Sequence, residues 1–136
     1  MLEYKVKAQV PTVRDYIRIR LAAGLSRKTV AVATVGLKNS LFSVMVSCQD
    51  EAVGIGRVIG DGDCFFEVID IAVLPEHQGK GIGRLVMDAL MDCIHKHAPK
   101  SAYISLMADH RTPGFYEKFG FQRAEAPDTA GMFLRL

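Results

Sequence analysis

Leu2, Tyr4, Val6 and Ala8 alternate with Glu3, Lys5, Lys7 and Gln9, a period of two that predicts a half-buried strand ended at Pro11. From Thr12 to Leu25 the period changes. Val13, Tyr16, Ile17 and Leu21 fall along one side of a helix. Ser26 to Ser40 reads as a second short helix with Ser26 at its N-cap, although the valines in it also suit a strand. Leu41–Cys48 and Ala52–Ile59 predict two strands joined by a turn at Gln49-Asp50-Glu51, and Gly60-Asp61-Gly62-Asp63 predicts a second tight turn. Cys64–Leu74 is an almost unbroken apolar run, as expected of a central strand buried on both faces.

A helix is expected from about Gly81 to His97. Ile82, Leu85, Val86, Ala89, Leu90, Cys93 and Ile94 form its apolar stripe, and His95, Lys96 and His97 suit the negative end of its dipole. Ala98-Pro99 stops it. Ser101–Ala108 reads as a strand, and Thr112–Gly120 as a short helix with Thr112 as N-cap, Pro113 at the first position and Gly120 just past the end. Phe121–Glu125 and Met132–Leu136 close the chain as two more strands. The order is β-α-α-β-β-β-α-β-α-β-β. Strand, helix and strand over Cys64–Ala108 make a right-handed parallel crossover, and the flanking hairpins make the central sheet mixed. The fold class is α/β (α+β).

Composition narrows the function classes. At 136 residues, 49% hydrophobic and 24% charged, residues 1–136 are expected to form one globular domain. A net charge of +2 argues against a nucleic-acid surface. No apolar run is long enough to span a bilayer, and the charged first ten residues do not suit a signal peptide, so a cytoplasmic location with no membrane partner is expected. Cys48, Cys64 and Cys93 share no close spacing and read as reduced thiols. His95 and His97 diverge on a helix and His77 stands apart from them, so no metal site is expected.

The strongest chemical signal is Gln78-Gly79-Lys80-Gly81-Ile82-Gly83-Arg84, lying between the long apolar run and a helix. Free N–H groups at a helix start favour an anion, glycines let it come close to the backbone, and Lys80 and Arg84 add positive charge. A phosphate or pyrophosphate is the natural guest. The loop is not a P-loop, which needs G-x-x-x-x-G-K-[ST], and its G-x-G-x-G spacing departs from the dinucleotide fingerprint. It fits Q/R-x-x-G-x-G/A at every position. Downstream, Phe115-Tyr116-Glu117-Lys118-Phe119-Gly120-Phe121 supplies a second motif. With these two motifs the sequence resembles the GNAT superfamily of acyl-CoA-dependent N-acetyltransferases.

The resemblance implies acetyl-CoA as co-substrate and a primary amine, of a small molecule in the leading reading, as acceptor. It places the pyrophosphate on Gln78, Gly79, Lys80, Gly81, Ile82, Gly83 and Arg84, and the pantetheine arm along the main chain of Ile71, Ala72 and Val73. Asp109 stands where the family often has an asparagine against that arm, and a carboxylate suits a site near phosphate poorly. Tyr116 is implied as the acid that protonates the leaving thiolate. For the base there are two candidates, Glu67 and Asp70, with His110 a third. By simple alternation Glu67 and Asp70 face opposite sides of the sheet; a bulge would change that. Either carboxylate could instead pair with Arg57 on the neighbouring strand. The acceptor pocket is implied to lie between about Leu21–Asn39 and Ala124–Gly131, where Arg27, Lys28 and Lys38 oppose Glu125 and Asp128 without a single sign of charge. The alternatives are a peptide or protein amine as acceptor, or a non-catalytic acyl-CoA-binding module. A homodimer is compatible with all of them.

Overall fold

A computed structural model describes residues 2–109, 111–124 and 129–136. Five strands form one sheet in the order β1-β2-β3-β4-β5: β1 Tyr4–Lys7, β2 Phe42–Cys48, β3 Glu51–Gly60, β4 Phe65–Val73 and β5 Tyr103–Ser105. The first three pairings are antiparallel, and β4 with β5 is parallel. The helices are α1 Val13–Ala22, α2 Val30–Lys38, α3 Ile82–His97 and α4 Pro113–Glu117, with a single 3-10 turn at Pro75–His77 before α3. The sheet is mixed, as the hydrophobic pattern predicts: the β4–α3–β5 crossover returns parallel, tight turns make β2, β3 and β4 antiparallel, and β1 joins β2 antiparallel after α1 and α2.

The core lies where α3 meets the middle strands. Val86, Met87 and Leu90 are fully enclosed there with Val44, Val46 and Val58. Two glycines let the helix come close. A β-carbon on Gly56 would lie 2.4 Å from Val86 Cγ1 and 2.8 Å from Ile71 Cδ1, and one on Gly54 would lie 2.8 Å from Ile82 Cγ2. The side chains of α3 and of Ile71 therefore occupy the space above β3. On α1, Tyr16 and Ile19 are buried, as are Ala33 and Leu37 on α2.

Four expectations need correction. The second helix starts at Val30, with Thr29 as its N-cap accepting from the Val32 N–H; Ser26 is engaged elsewhere. Thr112 precedes α4 but does not cap it with its side chain, since its hydroxyl donates to the Asp109 carbonyl. The long apolar strand is not buried on both faces. Phe65 and Glu67 at its start are exposed, beside an exposed Tyr103 on β5. The expected strands over Phe121–Glu125 and Met132–Leu136 are not formed among the described residues, Glu125 lying outside them. Met132, Phe133, Leu134 and Leu136 are instead exposed, so an apolar, strand-like pattern finds no ladder partner on the β5 edge.

Candidate active site

The parallel pairing of β4 with β5 stops at Glu67 and Ser105, while β4 runs on to Val73 against β3 alone. Past that point the two strands part. A cleft of about 670 Å³ opens between them, lined by Val68–Val73 on one side and by Leu106, Met107, Asp109 and Tyr116 on the other. The β4 edge facing it carries main-chain donors and acceptors that β5 leaves unpaired, which is what an extended ligand needs to add itself to the sheet. Ile71, Ala72 and Val73 all line this cleft. Gln78 ties the following turn to the strand, its side-chain amide donating to the Val73 carbonyl at 3.0 Å.

At one end of the cleft lies the glycine loop. Gly79 (φ 74°) and Gly81 (φ 82°) are both left-handed, a conformation that costs a residue with a β-carbon free energy. Gly81 is the N-cap of α3, and the first bond of that turn runs from the Leu85 N–H to the Gly81 carbonyl. The first N–H groups of this 16-residue helix have no intrahelical partner, and its positive pole stands at the loop. Gly79, Gly81, Ile82, Gly83 and Arg84 line the cleft, and Lys80 is exposed within the loop. Arg84 lies 3.8 Å from Asp88 on the next turn and is mostly exposed, so its guanidinium is available to an anion. Unforeseen from the sequence, Tyr4 on β1 steadies this loop. Its hydroxyl is 2.8 Å from His77 Nδ1, and the two rings meet edge to face. These features fit a diphosphate carried on an extended chain.

Tyr116 lies midway along the cleft on α4, its ring edge-on to Phe115 at 5.0 Å. Burial, and then the negative charge of Asp109, raises its pKa above the ordinary 10.0. Tyr116 is therefore a phenol that keeps its proton through neutral and mildly alkaline pH and is present there as an acid. Asp109 lines the cleft, and its carboxylate also accepts the Arg111 N–H at 3.1 Å and lies 3.9 Å from Arg111 Nε. Its negative charge acts on Tyr116. His110 lies outside the described residues, as do Glu125 and Asp128 of the expected acceptor pocket.

The two candidate bases part company. Glu67 is exposed at the start of β4 and does not line the cleft, so the cost of burying it does not arise. Asp70 faces the cleft but is already engaged. The register shift between Ile55 and Arg57 sets Asp70 and Ile71 together against Gly56, a bulge in β4 where Asp70 takes the left-handed φ of 59°. Its carboxylate accepts from Arg57 Nε at 2.6 Å, from the Tyr16 hydroxyl at 2.7 Å and from Arg20. Both guanidinium groups also lie over the Tyr16 ring. Burial, then Asp70, raises the Tyr16 pKa above 10.0, so it remains a hydrogen-bond donor. Arg57 is the partner expected for one of the carboxylates. Tyr16 and Arg20 were not foreseen, although their spacing of four on one helix would bring both to the same face. Among the described residues there is no cluster of three or more metal-ligating side chains, and no helix is long and apolar enough to cross a membrane.

The architecture has well-defined relatives. The description of an acetyltransferase (GNAT) domain matches residues 38–123. The crystal structure of the Staphylococcus aureus protein SA2161, a protein of unknown function, superposes with a TM-score of 0.93 at 42% identity, covering 98% of this chain and 100% of that one. The GNAT family protein SP0256 of Streptococcus pneumoniae superposes with a TM-score of 0.78 at 27% identity over 100% of this chain and 98% of its own. A chloroplastic GCN5-related N-acetyltransferase 2 of Arabidopsis thaliana is 28% identical over 130 residues, 81% of this chain. The chain spans 49% of that plant protein's length.

Proposed function

The chain belongs to the GNAT acetyltransferases, and we propose that it moves an acetyl group from acetyl-CoA to the primary amine of a small molecule, by direct attack with both substrates bound together. One observation carries the reading: a single cleft is lined by the left-handed glycine loop, by the edge of β4 that β5 leaves unpaired, and by a half-buried Tyr116 that keeps its proton. In this reading the amides from Gly79 to Arg84, with Lys80 and Arg84, hold the pyrophosphate. Ile71, Ala72 and Val73 pair with the pantetheine arm, which brings the thioester beside Tyr116. The amine nitrogen bonds to the acetyl carbon as the carbon–sulfur bond breaks, and Tyr116 gives its proton to the departing thiolate.

An amine with a pKa near 10 is neutral only about one part in a thousand at pH 7, so its proton must leave before attack. Asp70 is poorly placed to take it, since three donors already occupy its two oxygens. Glu67 stands outside the cleft. The proton passes instead to water at the open acceptor end. Glu67→Gln should therefore keep the wild-type rate at pH 7 in a steady-state assay. Loss of most of that rate would restore Glu67 as the base.

The test of the whole reading is binding and turnover. A ligand held only by the folded state at a hundredfold excess over Kd adds about 2.7 kcal/mol of stability. Acetyl-CoA should raise the melting temperature by several degrees, and ATP or NAD by much less. Free thiol should then appear when tyramine, tryptamine, L-lysine, spermidine or an alanine-terminated peptide is supplied with acetyl-CoA. No thermal shift at millimolar acetyl-CoA removes the reading. A shift without turnover of any amine favours a binding module, and turnover of the peptide alone moves the acceptor to a polypeptide amine.

A further inference from the structure

Arg20 occupies the last turn of α1 and is 6% exposed. A long cationic side chain is rarely buried this deeply unless its donors are used. One terminal nitrogen bonds Asp70 on β4. The other donates to the Ser26 carbonyl at 2.8 Å and to the Ser26 hydroxyl at 3.0 Å. One guanidinium thus joins the strand that edges the cofactor side of the cleft to the segment after α1. That segment carries Ala23 and Leu25, which line the same cleft, and the family resemblance puts the acceptor beside them.

Apart from the packing of Ala23 and Leu25 against the core, the segment has few ties. Residues 25–29 lie between α1 and α2 without helix or strand, and Gly24 turns the chain in the left-handed region at φ 85°. The Leu25 N–H reaches back to the Arg20 carbonyl at 2.9 Å, so the same residue holds the segment by its main chain and by its side chain. The strand, by contrast, has other ties. Arg57 Nε and the Tyr16 hydroxyl hold Asp70 whether or not Arg20 is present, and Arg57 is itself anchored on the Gly36 carbonyl at 2.9 Å and Ser40 Oγ at 3.0 Å. Loss of Arg20 therefore frees the acceptor wall and leaves β4, with the cofactor edge, in place.

We infer that Arg20 is a positioning residue for the acceptor: by clamping Ser26 to Asp70 it sets the distance of Ala23 and Leu25 from the reacting end of the cleft, and so governs amine affinity and not acetyl-CoA affinity. The inference rests on the acetyltransferase reading above. Arg and Lys are not equivalent in this place, because only a planar fork reaches Asp70 and Ser26 together.

Arg20→Met, Arg20→Lys and Ser26→Ala separate the roles. Steady-state kinetics use whichever amine of the panel above the wild-type chain acetylates, and acetyl-CoA affinity is measured by titration without amine. Arg20→Met should raise the amine KM by roughly tenfold, the scale on which small displacements at a reacting centre are felt. Arg20→Lys should raise it by less. Ser26→Ala, which keeps the carbonyl bond, should raise it least. In all three, acetyl-CoA affinity should stay at the wild-type value. A purely structural Arg20 would lower the melting temperature and the active fraction while leaving the amine KM of the folded protein unchanged, and that result would overturn the inference alone. Weakened acetyl-CoA binding in step with the amine KM would also overturn it, since the clamp would then be holding β4. No turnover of any amine by the wild-type chain removes the acetyltransferase reading, and this inference with it.

Discussion

Gly81→Asp should abolish most of the rise in melting temperature expected from acetyl-CoA in the wild-type protein, and leave the fold in place. A β-carbon at Gly81 meets nothing within 4 Å, so bulk is not the difficulty. The backbone there is left-handed at φ 82°, and aspartate is among the residues that tolerate this region best, at a cost of about 1 kcal/mol. What changes is charge. The new carboxylate stands beside the first amides of α3, where it can accept their hydrogen bonds and repel a diphosphate. If Kd rises a hundredfold, ligand that gave about 2.7 kcal/mol gives only about 0.4 kcal/mol. Gly81→Ala is the control, because it carries a comparable backbone cost without the charge. It should keep much of the shift, and differential scanning fluorimetry reads both. A normal shift in Gly81→Asp would move the diphosphate away from this loop.

That loop was legible because its signal is local. Left-handed glycines, a helix start and two cations lie within seven consecutive residues, and nothing distant is needed to give them their shape. The strand preceding it was legible as an element for the same reason, through its run of apolar residues. Its interior was not. The direction of Asp70 depends on a bulge opposite Gly56, and a bulge comes from packing across three strands and a helix. Ile69 lies opposite Arg57 and Asp70 also turns toward Arg57, so period-two counting fails between these two neighbours. Glu67 misled in another way. Its neighbours Phe66 and Val68 are buried, but the face it points from is open at that end of the sheet. The two closing strands were read as local segments, and a local pattern does not say what a strand will pair with. Arg20 had no part in the expected site, yet it falls four residues after Tyr16 on the same helix and lies beside Ile19, Leu21 and Ala22.

Tyr116→Phe should lower kcat by about 10²-fold or more while leaving acetyl-CoA affinity close to wild type. The substitution keeps the ring and its edge contact with Phe115, so a loss of activity in a variant that still binds the cofactor belongs to the hydroxyl. The pH profile gives a second readout. Burial and the Asp109 charge hold the phenol pKa above 10.0, so the wild-type enzyme should keep its acid form through neutral and mildly alkaline pH and lose it only beyond that value. The residual rate of Tyr116→Phe should lack this alkaline decline. Asp109→Asn removes the smaller of the two causes while retaining an acceptor for the Arg111 N–H. Its decline should therefore begin at lower pH than in the wild type, without returning to the value of a solvent-exposed tyrosine, because burial remains. An unchanged kcat in Tyr116→Phe would leave the thiolate to depart unprotonated into the field of the helix start and its cations. The tyrosine would then be a packing residue, and Tyr116→Ala should lower stability while Tyr116→Phe lowers nothing.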